Sequence, residues 1–573
     1  MKPDFRRTMI WLHTYTGLII GWLLFAIFLT GTLSYFNDEI SQWMQPEFHV
    51  SMERQFDAIN DSEGVGSEEK DSEEINSEGI DKQEITSEEI DGEAKRLALI
   101  NLSIAKLKAQ GKEQDNWHIT LPNVRSNQWL LQWQQGKTRQ SSYLQGDNGE
   151  QVNPRQTHGG DFFRTFHYSL ELRNVGGRYF SGVAAMFMLL AVFSGIFTHR
   201  RFFRDFFTLR KKTLLKTLTD FHALAGIITI PFAVMICASA LVIYIGLYMP
   251  WSAQYYLEGG ARELNQKVTT YLPKVTPAQD YQAPISDFTL IQKQLEKAWG
   301  GDHQIKRISF EHPFDINGRI IVERNKQLSL SNKADVLVFS SHNGQPLAGM
   351  FDERTARKIR RIFYGLHEAH FADPGLRWLL FISGLLSCGL IASGLIIWLN
   401  KRLEKTKQRH MGHFIVERLN IAGIAGLVLA ILAYFYANRL LPLDIDDRAS
   451  VEVSIFLWVW LLSLLHSVFR PAHKAWTLQL LVAATACVLL PILDVIQQPQ
   501  RLMQAIEQKN GVYLGFELVL LITGILLYKT ATALYKRQKK PVQGQAIFSN
   551  KRPSNKRLSE KRLAKRRNKP NAA

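Results

Sequence analysis

The sequence predicts a polytopic α-helical membrane protein with about eight transmembrane helices and two small α+β modules outside the bilayer. Three observations carry this. Eight apolar segments reach, or nearly reach, the ~20 residues a helix needs to cross a ~30 Å hydrocarbon core. The connections between them alternate between basic and non-basic. The two longest connections each read as one amphipathic helix followed by alternating strands.

The apolar segments run over residues 10–36, 179–199, 222–249, 377–399, 419–441, 452–469, 475–496 and 512–535. Lys2, Arg6 and Arg7 precede the first. That segment is longer than a signal h-region and has no A-x-A cleavage site, so it reads as a retained anchor. The basic connections are the N-terminus, His199–Lys216, Lys401–Arg418, Arg470–Lys474 and the C-terminal tail. Residues 37–178, 250–376, 442–451 and 497–511 are long or acidic by comparison. Lys and Arg stay on the cytoplasmic side, so both termini are expected there. The pattern reads as a bacterial inner membrane protein with its two large loops in the periplasm. The expected organisation is a first helix in 1–36, a periplasmic module in 37–178 and the second and third helices in 179–249. A second module in 250–376, the fourth helix in 377–402, a four-helix membrane region in 403–535 and a basic cytoplasmic tail in 536–573 complete it.

The net charge of +17 is a sum of opposites. Residues 61–93 hold 14 acidic side chains against Lys70 and Lys82, a net of −12. Residues 536–573 hold 14 Lys or Arg against Glu560, a net of +13. A uniformly basic surface for nucleic acid is therefore not expected; the tail reads as topogenic charge that meets anionic lipid. The acidic stretch repeats five-residue units (SEEKD, SEEIN, SEGID, KQEIT, SEEID) and is too charged to bury a core, so it reads as an extended linker. Three cysteines, Cys237, Cys388 and Cys487, all lie in apolar runs. With no CxxC and no close pair, disulfide frameworks, Cys-ligated zinc and four-Cys iron–sulfur clusters are not expected.

The first module is expected in AKRLALINLSIAKLKAQG as a helix, then WHITLP, NQWLLQWQQ and SSYLQGDNGEQV as strands. The second repeats that order in LIQKQLEKAWGG, QIKRISFEHP, GRIIVERN and DVLVFSSHNGQPLAG. The duplication extends to the first four helices. His13-x-x-x-Gly17 opens the first and His222-x-x-x-Gly226 the third. FRTFHYSL with His167 precedes the second, and FYGLHEAH with His367 and His370 precedes the fourth. His13, His222 and His199 then cluster at the cytoplasmic face, and His167, His367 and His370 at the periplasmic face.

Histidines from facing helices can hold a haem between two imidazoles. Glycine one turn from His13 and His222 clears a surface for a flat macrocycle. Zinc or copper on the same histidines is the other metal reading, but two separate depths without Cys or carboxylate clusters favour haem. His199 and His370 stand outside the strict repeat and remain contenders for the axial positions.

At this point the residues resemble a family. WLHTYTGLIIGWLLFAIFLTGTL, FHYSLEL…GGRYFSG, SGIFTHRRFFRDFFTLRKKTLLKTLTDFHALAGIITIPFAVMICASAL and LHEAHFADPGLRWLLFISGLLSCGLIASGLIIW are similar to the PepSY-associated transmembrane proteins. These include iron-regulated membrane proteins of the ferric-siderophore reductase type. The resemblance covers about residues 1–402. It implies PepSY modules in the periplasm, b-type haems, two of them if each histidine cluster holds one, and one-electron reduction of a ferric siderophore or other iron chelate. No cytoplasmic segment is long enough for a flavin reductase domain, so the expected donor is a separate cytoplasmic protein or quinol. A membrane-anchored PepSY binding protein that restrains a periplasmic peptidase is the alternative, and a transporter the third reading. The four C-terminal helices show no chemistry in the sequence.

Overall fold

The computed structural model describes residues 3–50, 87–109, 116–144, 149–198, 213–263, 283–299, 305–325, 330, 335–349, 355–406, 408–507 and 510–539, apart from residues 124, 126–127, 136–137 and 261–262. Most of the acidic stretch, His199 and nearly all of the basic tail lie outside these residues.

Among the described residues, eight helices are long and apolar enough to cross a membrane. They are α1 (Pro3–Ser34), α5 (Gly177–Thr198), α6 (Leu214–Ile243), α9 (Pro374–Lys405), the run Met411–Leu440, α12 (Arg448–Phe469), α13 (Ala472–Gln497) and α15 (Gly511–Lys539). The run Met411–Leu440 is α10 (Met411–Asn420), a π-helical turn Ile421–Gly426 and α11 (Leu427–Leu440). Other helices include α2 (Asn37–Met44), α3 (Ser87–Ala109), α4 (Asp161–Ser169), α7 (Phe288–Trp299), α8 (Thr355–Glu368) and α14 (Pro499–Glu507). All eight expected apolar segments are therefore helical. α1 packs against α5 and α9, and α6 against α9, α5 and α8.

The outer loops carry eight strands: β1 (Asn116–Thr120), β2 (Trp129–Gln135), β3 (Thr138–Leu144), β4 (Gln151–Val152), β5 (Ile305–Glu311), β6 (Arg319–Arg324), β7 (Val336–Ser340) and β8 (Pro346–Gly349). They do not form two separate sheets. The order β4-β3-β2-β1-β5-β6-β7-β8 makes one antiparallel sheet in which β1 of the first loop pairs with β5 of the second. Each four-stranded half alone would leave an edge of unpaired backbone groups; pairing edge to edge removes both. Trp117, Ile119, Ile308 and Phe310 point from these central strands into a core closed by α3 and α7. The turn glycines Gly149 and Gly344 both hold φ of +68°, which a β-carbon disfavours.

His118 and Ser309 face each other across the seam and occupy equivalent places in the two halves, with Nδ1 and Oγ 3.0 Å apart. Burial, then the charges of Arg307 and Arg139, hold the His118 pKa below 6.5. The folded protein thus binds fewer protons here than the unfolded chain. This contribution to stability is complete above pH ~6.5 and is lost as pH falls toward the folded pKa. We expect His118→Gln to flatten the fall in melting temperature of the outer sheet between pH 7 and 5; an unchanged slope contradicts this assignment.

The sheet is tied to the membrane helices by charge. Glu39 on α2 accepts from Arg125 (3.0 and 2.8 Å) and from Arg377 at the start of α9 (2.8 Å). The C-terminal helices are tied in at the same end. Arg439 donates to both carboxylate oxygens of Asp494, to Asn438 and to the Trp43 carbonyl, and its guanidinium lies 3.8 Å from the Trp43 ring centre. The Trp43 indole donates to Glu517 at 2.8 Å. Arg448 pairs with Glu452, which also accepts from Thr157 of the first outer loop. These helices carry no chemistry in the sequence reading; in the structure they carry a buried ionic lock.

Candidate functional site

Four of the six candidate histidines form two pairs, one at each depth. His13 on α1 and His222 on α6 have ring centres 6.1 Å apart with planes at 77°. His167 on α4 and His367 on α8 have centres 5.9 Å apart with planes at 40°. Each pair thus joins one histidine from each half of the repeat.

Every ring is aimed by the helix opposite. His13 Nδ1 lies 2.8 Å from the Ala191 carbonyl of α5, and His222 Nδ1 lies 2.9 Å from the Leu390 carbonyl of α9. His167 Nδ1 is 2.8 Å from the Ile27 carbonyl of α1, and His367 Nδ1 is 3.1 Å from the Ile236 carbonyl of α6. Acceptors as well as histidines obey the repeat: Ile27 lies 14 residues beyond His13, and Ile236 lies 14 beyond His222. Two hydroxyls add to the second half, Ser393 Oγ at 3.2 Å from His222 and Ser239 Oγ at 2.9 Å from His367. Ser393 gives its own proton to Leu390, and Ser239 gives its own to Met235 and Ile236, so both oxygens accept from the imidazole.

A carbonyl opposite Nδ1 requires a proton on Nδ1. That fixes the tautomer and leaves Nε2 of all four rings with a free lone pair, the state a metal ligand needs. Burial pushes His167 below the ordinary imidazole pKa, with the Ile27 carbonyl opposing. Burial, then the neighbouring His167, pushes His367 down to about 4. Both rings are therefore neutral at pH 7.

The donor set fits a two-ligand macrocyclic iron. A metal–imidazole nitrogen bond of ~2 Å on each side, plus the reach from each nitrogen to its ring centre, places two rings roughly 6 Å apart across one metal. Among the described residues, no three His, Cys, Asp or Glu converge to hold a bare ion, as tetrahedral zinc requires. A β-carbon added at Gly17 would meet nothing within 4 Å, so open space lies beside α1 one turn from His13. Gly195 and Gly394 make room for the rings themselves: added β-carbons there would lie 3.2 Å from Cε1 of His13 and 3.0 Å from Cε1 of His222.

The remaining candidates do not join the pairs. His370 is on the surface, with Nε2 3.2 Å from Glu368. His199 lies outside the described residues. The positioning groups Ser239 and Ser393 and the four carbonyls were not foreseen. Ser393-Gly394, repeated as Ser194-Gly195, was a visible signal for one of those positions, Ser393.

The two pairs stand 14 residues apart along α1, and again along α6, about 21 Å at 1.5 Å per residue. In comparison with known families, residues 10–401 match the model described as the PepSY-associated TM region. The match ends within α9 and leaves α10–α15 outside it. No curated protein matches the chain.

Proposed function

The chain belongs to the PepSY-associated transmembrane family, and from that premise we propose that it is a haem-containing reductase of the bacterial inner membrane. In this reading both termini are cytoplasmic, and electrons cross the bilayer to reduce a periplasmic ferric siderophore or other iron chelate. One observation carries the reading: two half-buried histidine pairs, each with rings about 6 Å apart and with every Nδ1 held by a carbonyl of the facing helix.

A b-type haem held at each pair would supply one-electron exchange between ferric and ferrous iron. His13 and His222 would hold the cytoplasmic one, His167 and His367 the periplasmic one. The carbonyls of Ala191, Leu390, Ile27 and Ile236 keep each Nε2 turned inward, and the hydrogen bond at Nδ1 raises the basicity of the ligating nitrogen. Apolar side chains of α1, α5, α6 and α9 pack together in one buried core. The ferric chelate is substrate. Its iron loses affinity for hard oxygen donors on reduction to Fe²⁺, so the metal is released with the chelator intact.

The outer sheet supports a docking role. Tyr143, on the face turned away from α3 and α7, packs on Phe48 with ring centres 5.5 Å apart, so this polar face lies toward the membrane helices. Arg139 and Arg307 share that face and offer cations to an anionic chelate.

The test uses vesicles loaded with dithionite and a ferric hydroxamate outside. External ferrozine should report ferrous iron only where the haem-loaded protein spans the bilayer. A rate equal to protein-free vesicles would sink the reductase reading. A second outcome concerns position: Gly394→Leu should push the His222 ring aside and remove about half of the haem, whereas Gly394→Ala should retain most of it. Full haem content in Gly394→Leu contradicts the assigned role of that close approach.

A further inference from the structure

At the end of the bundle away from the sheet, an open groove of about 350 Å³ runs along α15 beside the start of α6. Its wall on α15 comes from Leu526, Lys529, Thr530, Leu534 and Arg537, and its wall on α6 from Leu214, the first residue of that helix. The spacing 526, 530, 534 and 537 follows one face of α15. This joint brings together two parts of the chain with different standing: α6 lies inside the family match, and α15 lies outside it.

The chemistry of the lining is split. Leu214, Leu526 and Leu534 are apolar; Lys529 and Arg537 are cationic, and Thr530 adds a hydroxyl. Neither cation has a carboxylate partner among the described residues. Leu214, Leu526 and both cations are exposed, so a partner with an apolar part and an anionic part can reach all of them. A basic pocket between membrane helices at the interface is suited to an anionic lipid headgroup, with the phosphate at the cations and the acyl chains along the leucines. The volume is too small for a whole phospholipid and suits a headgroup with the first methylenes of its chains.

We propose that this groove is a binding site for the headgroup of an anionic phospholipid, which fills the joint between α6 and α15. The lipid is held by Lys529 and Arg537 through charge and by Thr530 through a hydrogen bond. The site stands independently of the histidine pairs.

Native mass spectrometry of the full-length protein, delipidated and then offered phosphatidylglycerol or phosphatidylcholine, tests this. Wild-type protein should retain phosphatidylglycerol well above phosphatidylcholine. Lys529→Gln with Arg537→Gln should lose that preference by roughly thirtyfold, about 2 kcal/mol at 1.4 kcal/mol per tenfold. Lys529→Arg with Arg537→Lys keeps both charges and should behave as wild type, which separates loss of the site from loss of the fold. Equal retention of the two lipids by wild type would overturn the proposal, and so would a double Gln variant that keeps the full preference.

Discussion

Alanine at His13 or His222 is expected to leave about one haem per chain where the wild type should bind about two. His167→Ala and His367→Ala should each remove the other haem, and one substitution from each pair should give a colourless protein. The effect should be large because each ring is one of only two ligands and its partner is a single imidazole. It should also be selective, because the pairs are about 21 Å apart along α1 and share no side chain. Haem quantified against protein, with the reduced spectrum of each variant, gives the answer. Four variants that all keep the full content would end the paired-ligand account, while His370→Ala should leave the content unchanged.

The second large effect lies in the ionic lock. Arg439 and Asp494 have side chains 2% and 1% exposed and pair with each other, with the buried Arg501 3.6 Å from the same carboxylate. Asp494→Asn leaves a buried guanidinium with only neutral acceptors and a more distant Glu517. Breaking such a pair from one side costs ~3–5 kcal/mol. The thermal midpoint in detergent should fall sharply. Asp494→Asn combined with Arg439→Met should recover part of the loss, because the guanidinium nearest the missing carboxylate is gone and Arg501 keeps Glu517 as its neighbouring carboxylate. A midpoint unchanged in Asp494→Asn would show that the lock is not what joins the C-terminal helices to the segment after α1.

Much of this architecture is written in local pattern. Apolar runs of the length of α1 or α9 leave few alternatives to a membrane helix. The histidine pairs were legible because duplication repeats His13 at His222 and His167 at His367, which a chance interfacial histidine does not do. The depth of each pair followed from the same alignment. What aims the rings was not legible, because backbone carbonyls such as Ile27 and Ile236 belong to every sequence. Ser239 and Ser393 look like ordinary small residues of packed helices.

The joined sheet was hidden for a different reason. Trp117 and Ile119, like Ile308 and Phe310, alternate clearly enough to show which face is buried. Alternation says nothing about which strand lies alongside, so two modules and one shared sheet predict the same pattern. The ionic lock was hidden by distance. Arg439 and Asp494 are 55 residues apart, and each alone near the end of an apolar run reads as a snorkelling charge. Only the packing of α11 against α13 turns them into a pair.

The most direct test of the central claim is an absorption spectrum of the purified protein, oxidised and then reduced with dithionite, with haem quantified per chain. The account predicts sharp reduced b-type bands at about two haems per chain. A colourless protein, produced with haem in ample supply, would contradict it and leave a membrane-anchored binding role for the outer sheet.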